Sequence, residues 1–255
     1  MKKNNYSDVG AIVLAAGKGS RMKSDLPKVL HDINGKSMIH AVLSCAVSLL
    51  GNQVVVVIGH GGDLVRKTVS QDFDVLYAWQ KNLLGTGDAV KSALPVLPDG
   101  VVDVLILCGD VPMVRPETLA NLIEFHRREE NGVSVLSVHI DNPTGYGRVL
   151  LDEENKLLCI REEADANDFE RKNTLVNSGI YCINKKFLID AIKGIDCHNA
   201  QQEYYLTDIV KIAVASGRRA GSLSGQSARE IMGVNTPADL ERVACCMAET
   251  PNELS

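Results

Sequence analysis

"VGAIVLAAGKGSRMKSDLPK", Val9 to Lys28, is the stretch that decides the fold. Its first eight residues are a compact apolar run, the pattern of a buried strand. The run then breaks into glycines and a cluster of cations: Lys18, Arg21, Lys23 and Lys28, with Asp25 the one acid among them. A buried strand that runs straight into a glycine loop is the usual start of an open α/β sheet, and the rest of the first half repeats the theme. "QVVVVIG" (53–59) is β-branched and apolar on both faces, as an interior parallel strand is. Strand patterns recur at 74–80, 103–110 and 132–140. Between them "SMIHAVLSCAVSLL" (37–50), 63–70, 87–94 and "PETLANLIEFHRREE" (116–130) carry helical spacing. Repeated β-α-β order predicts a Rossmann-like, mostly parallel sheet with helices on both faces.

The rhythm then changes. "YGRVLLDEENKLLCIREE" (146–163) predicts a hairpin turning at Asp152–Asn155, and "ADANDFERKN" a polar lobe. Further strands are expected at 175–184 and in "RRAGSLS", with helices over "KKFLIDAIKG" and "LTDIVKIAVASG". Thr236, Pro237 and Asp239 predict a capped start for a last helix over 238–248, followed by a frayed tail, "ETPNELS". The expected organisation is one domain: a first part over 9–140, a small β-rich part over 141–235, and 236–255 as helix and tail.

Composition excludes several classes. The chain has 255 residues, a net charge of −5 and 45 % hydrophobic residues, which suits an ordinary soluble protein and not a general nucleic-acid binder. The polar start "MKKNNYSD" and the short first apolar run do not make a signal peptide. No segment reaches the ~20 apolar residues of a membrane helix. The seven scattered cysteines lack C-x-x-C spacing and read as reduced thiols of a cytoplasmic protein. The six histidines show no metal-ligand spacing.

Three readings compete for the opening loop. A plain surface turn does not explain the clustered cations. A dinucleotide fingerprint needs a third glycine where Met22 stands, and an acid after the second strand, which ends "VIGH". A Walker A loop would need glycine at Leu30. The third reading is a nucleoside triphosphate loop of another kind. Ala15, Ala16, Gly17 and Gly19 let backbone N–H groups approach phosphates, Arg21 and Lys28 neutralise them, and Pro27 stiffens the placement of Lys28. Asp110, at the carboxyl end of the 103–110 strand, is either a turn residue or a magnesium ligand at the edge where ligands bind. Gln80 and the Gly85-Thr86 backbone are candidates for a base edge. Glu162 and Asn177 are candidates for sugar hydroxyls, and Asn235 reads equally as a turn residue.

Taken together, "LAAGKGSRMKSDLPKVLH", "LGTGDAV", "GDVPM", "PTGYGRV", "NSGIY", "EYYLTD" and "GVNT" resemble, in order and spacing, the uridylyltransferase domain of the bacterial N-acetylglucosamine-1-phosphate uridyltransferases over about residues 9–243. The resemblance implies a GT-A-like nucleotidyltransferase fold. It implies uridylyl transfer from UTP to N-acetylglucosamine 1-phosphate for cell-envelope precursors, such as those of peptidoglycan, with Mg2+ as cofactor. By resemblance, Leu14, Ala15, Ala16, Gly17, Gln80, Gly85 and Thr86 bind the nucleoside. Arg21 and Lys28 hold the phosphates, and Asp110 and Asn235 the metal. Cys108, Gly109, Gly147, Glu162 and Asn177 line the sugar end. The chain departs from the commoner pattern at Cys108, where an aromatic residue is usual, and at Asp88, in "GTGDA" for "GTGHA". Family members usually continue into a trimer-forming hexapeptide-repeat β-helix. No such array is present, so a monomer or weak oligomer is expected. The rival expectations are a nucleotidyltransferase for another sugar 1-phosphate, and a non-catalytic sugar-nucleotide sensor.

Overall fold

The computed structural model describes residues 6–249. β1 (Val9–Leu14) passes through short 3₁₀ turns at 20–22 and 28–30 into a small hairpin, β2 (Asp32–Ile33) and β3 (Lys36–Ser37), and then α1 (Met38–Leu50). β4 (Val54–Ile58), α2 (Gly62–Val69), β5 (Leu76–Trp79) and α3 (Thr86–Ala93) follow, then β6 (Asp103–Cys108), α4 (Pro116–Arg128) and β7 (Val133–His139). The second half holds the hairpin β8 (Arg148–Leu151) and β9 (Leu157–Arg161), then β10 (Leu175–Asn184), α5 (Lys185–Ala191), α6 (Asp208–Ala215), β11 (Ala220–Ser224) and α7 (Pro237–Ala248). The tail after Glu249 and the first five residues lie outside the described residues.

One sheet runs β11-β7-β10-β6-β1-β4-β5, with β8 and β9 attached to it through β10. β1 pairs in parallel with both β4 and β6, β4 with β5, and β7 with β11. Strand alternation sends successive side chains to opposite faces. Val9, Ala11 and Val13 of β1, with Val54, Val56 and Ile58 of β4, meet α1, α2 and α4 on one face. Ile12, Val55 and Val57 meet α3, α5 and α6 on the other. Both faces are covered, which is why these strands are almost continuously apolar.

The strand order departs from a simple β-α-β succession: β6 returns beside β1, not β5. β7 does not sit beside β6. β10 inserts between them, antiparallel to both. Periodicity along one strand does not tell which neighbour it takes, and β10 arrives from the far end of the lobe. Its register with β7 shifts between Asn177 and Tyr181, so the strand bends just past the carboxyl end of β6.

A third, smaller core joins the ends of the chain. Met22, Ile33 and Met38 pack with Val234 and Val243, which clamps α7 onto the opening loop and the β2–β3 hairpin. α7 starts with the expected cap: the Thr236 hydroxyl accepts from Asp239 N–H, and the Asp239 carboxylate accepts from Thr236 N–H. That cap fixes the turn holding Asn235.

Candidate active site

A cleft of about 570 Å³ opens at the carboxyl ends of β1 and β6, between the sheet edge, the β8–β9 lobe and the start of α7. That volume suits a small-molecule ligand. Leu14, Arg21, Thr86, Cys108, Asp110 and Asn235 line its sheet side. Gly147, Glu162 and Asn177 line its lobe side. Most of the residues singled out from the sequence therefore face one space, although they span more than 200 positions of the chain.

The opening loop is held by contact with Lys28. Gly19 has φ +60°, and a Cβ there would lie 2.6 Å from the Lys28 Cβ, so only glycine lets the loop close on that stem. Gly17 has open space around it. The two alanines before it are buried. Lys28 Nζ is ion-paired with Asp110 Oδ2 and donates to Asn235 Oδ1 at 3.0 Å. Arg21 Nη2 donates to the same Asn235 oxygen at 2.9 Å. Asn235 is drawn in through its neighbour: Val234 N–H donates to the Asp110 carbonyl. Two cations and two oxygen donors, from three loops, thus converge on one point. Arg21 and Lys28 are braced against Asp110 and Asn235 and do not reach out alone.

The loop from Gln80 to Thr86, expected at a base edge, is tied to its own neighbours. Gln80 is buried, and its Nε2 donates to the Gly85 carbonyl at 3.0 Å and to Asp88 Oδ2 at 2.8 Å. The amide nitrogen is spent inside the protein. Gly85 has φ +112°, and a Cβ there would lie 2.7 Å from the Tyr204 carbonyl. The Thr86 hydroxyl accepts from Leu206 N–H, so the segment before α6 braces this loop.

On the lobe side, Glu162 accepts from the Thr207 hydroxyl at 3.0 Å, and burial pushes its carboxyl above the ordinary range. Asn177 bridges the bend of β10: its Oδ1 accepts from Gly179 N–H and its Nδ2 donates to the Tyr181 hydroxyl. Asn177 N–H donates to the Gly147 carbonyl, which ties the glycine turn to the sheet. The Cys108 thiol lies 3.6 Å from the Gly179 carbonyl. Burial pushes its pKa up to about 12, so it remains a neutral thiol. Gly109 turns the chain after β6, its N–H donating to the Leu14 carbonyl.

Thr207, Tyr181, Tyr146 and the Asp239–Arg242 pair also face the cleft. The sequence held a signal for several of them: Thr207 sits in "EYYLTD", Tyr146 in "PTGYGRV" and Tyr181 in "NSGIY", and Asp239 reads as a cap residue. None of the seven cysteines is in a disulfide. No helix among the described residues is long and apolar enough to cross a membrane.

Residues 11–174 match the MobA-like NTP transferase domain. The bifunctional protein GlmU of Pelobacter propionicus is 45 % identical over 237 residues, 93 % of this chain and 52 % of that protein. The same-named protein of Clostridioides difficile is 40 % identical over 243 residues, 95 % of this chain and 52 % of its own length. The chain thus spans about half the length of the curated relatives it matches. Among solved structures, the inositol-1-phosphate CTP transferase from T. maritima superposes with a TM-score of 0.75 at 19 % identity, covering 97 % of this chain and 98 % of the other. HddC from Yersinia pseudotuberculosis gives 0.70 at 17 %, covering 93 % and 99 %. Those two likenesses concern the fold alone.

Proposed function

The chain belongs to the MobA-like NTP transferase family, and from that premise we propose that it transfers the uridylyl group of UTP to N-acetylglucosamine 1-phosphate, releasing pyrophosphate. The observation that carries the reading is the convergence of Arg21, Lys28, Asp110 and Asn235 at one end of a cleft whose other end holds Glu162 and Asn177. One end suits phosphates and the other suits a sugar. The resemblance of the full motif set to the N-acetylglucosamine-1-phosphate uridyltransferases, with GlmU relatives at 40 and 45 % identity, favours the uridine nucleotide and the N-acetyl sugar within that wider class.

The nucleophile is a phosphate oxygen of the sugar phosphate, and the new bond forms to the α-phosphorus as the bond to pyrophosphate breaks. A phosphate monoester has its second pKa near ~6, so the attacking group is already largely dianionic at neutral pH and needs no general base. The barrier lies in bringing two anions together and in spreading charge over an in-line transition state. Arg21 and Lys28 lower it by neutralising phosphate oxygens. Glu162, Asn177 and the Gly147 turn orient the sugar, and Gln80, Gly85 and Thr86 the base.

The donor set fits a divalent cation. Asp110 and Asn235 supply two hard oxygens to one point, now bridged by Lys28 Nζ. The described residues contain no group of three or more His, Cys, Asp or Glu that could hold a metal ion. Two protein oxygens plus phosphate and water is the set that magnesium prefers, and when bound it would draw charge from the phosphates. Mixing the protein with UTP and N-acetylglucosamine 1-phosphate tests the reading. Pyrophosphate should appear only when both substrates and Mg2+ are present, and Asp110→Ala should abolish it. Release from UTP alone would mean hydrolysis and would contradict the proposal.

A further inference from the structure

The orientation of the Gln80 side-chain amide is dictated by its surroundings. Two acceptors, the Gly85 carbonyl and the Asp88 carboxylate, face the same end of its amide at 3.0 and 2.8 Å. Neither atom can donate, so the NH2 must point at them and the carbonyl must point away. A reversed amide would set its oxygen against two other oxygens. The side chain is 5 % exposed, so there is little room for another rotamer. Its Oε1 accepts no hydrogen bond from the described residues.

We propose that Asp88 is a positioning residue that locks the Gln80 amide with its oxygen outward, and that this lock selects a pyrimidine carrying an N–H donor at N3. The inference rests on the reading that a nucleotide base lies against Gln80. Uracil presents N3–H and can donate to Oε1. Cytosine presents an unprotonated N3, which would meet Oε1 lone pair to lone pair. A buried group left facing an acceptor rejects the wrong base more firmly than a matched one attracts the right base. Without the Asp88 acceptor only the Gly85 carbonyl orients the amide, and the penalty for turning it falls.

Asp88 also lies in the first turn of α3, where any acid steadies the helix. That ordinary role affects all substrates alike, so the test reads a ratio within each variant. The quantity is kcat/KM for UTP over that for CTP, with N-acetylglucosamine 1-phosphate as acceptor. Asp88→Ala should lower the ratio about tenfold, the weight of one well-placed hydrogen bond. Asp88→Asn keeps an acceptor oxygen and should hold the ratio within about twofold of the parent. Gln80→Ala should lower the ratio as Asp88→Ala does, and the double variant should fall no further. The ratio of UTP to 5-methyluridine triphosphate, which shares N3–H, should stay constant throughout. The ratio does not depend on how much of a variant folds. If Gln80→Ala collapses the ratio while Asp88→Ala leaves it unchanged, the lock is wrong and the nucleotide reading stands. If Gln80→Ala also leaves it unchanged, the base does not lie against Gln80 and both fail.

Discussion

Lys28 sits between the two oxygen donors of the phosphate end, paired with Asp110 and donating to Asn235. Removing its charge leaves Asp110 without its cation and, on the proposed mechanism, takes away a transition-state contact. Lys28→Ala should lower kcat by about 10²–10³, the usual cost of one charge-stabilising donor. Steady-state pyrophosphate release measures this, and near-normal turnover would remove Lys28 from the mechanism. At this scale the sequence was readable where chemistry repeats within a short stretch. Arg21, Lys28 and their glycines stood out because cations clustered on an acidic chain. The bracing of both cations by Asn235, 214 and 207 positions away, was not readable. Nor was the use of the Gln80 amide nitrogen inside the protein, since that depends on the neighbours Gly85 and Asp88 sharing one side of it.

Among the elements, the β8–β9 hairpin and its turn at Asp152 were legible from alternation and turn residues, and the hydrogen bonds around Asp152 close it as expected. The insertion of β10 between β6 and β7 was not legible, because strand neighbours are set by packing across the whole sheet. The lobe is latched by Arg148, which is 1 % exposed. Its guanidinium pairs with Glu163 at 2.7 Å and donates to the carbonyls of Tyr146 and Arg171. Burial alone would raise the Glu163 pKa, but the Arg148 guanidinium and Gly145 N–H outweigh it and hold the carboxyl below its ordinary value. Arg148→Leu leaves Glu163 only its Gly145 N–H and Arg171 contacts and takes the guanidinium donor from two carbonyls. It should cost about 2–3 kcal/mol, near the lower end for a broken buried pair because Glu163 is partly exposed. Urea denaturation measures that loss, and an unchanged midpoint would show that the latch carries no stability.

Across the whole molecule, the sheet separates two chemistries. Its carboxyl edge carries the cleft. The opposite end carries a charge cluster in which Asp103, at the start of β6, takes a hydrogen bond from Arg127 Nε at 2.9 Å and lies 3.6 Å from His126 Nε2. Arg127 also reaches Asp8. Burial works to raise the Asp103 pKa, but His126 and Arg127 prevail and hold it below the ordinary carboxylate value. A depressed pKa means the unfolded chain takes up the proton first. The stability it gives is complete above about pH 4 and is lost as pH falls through the lowered folded value. Asp103→Asn should therefore flatten the fall of melting temperature below about pH 4, and an unaltered acid limb would assign that fall to other carboxylates.

The parallel strands that form this edge are readable from their apolar runs, whereas substrate identity rests on the few side chains that reach the cleft. Pyrophosphate release from four nucleoside triphosphates, each set against several sugar 1-phosphates, tests that identity most directly. UTP with N-acetylglucosamine 1-phosphate should turn over fastest, at least tenfold ahead of every other pair, the discrimination expected of about one additional matched contact. A different nucleotide or a different sugar phosphate at the head of that panel would contradict the assignment.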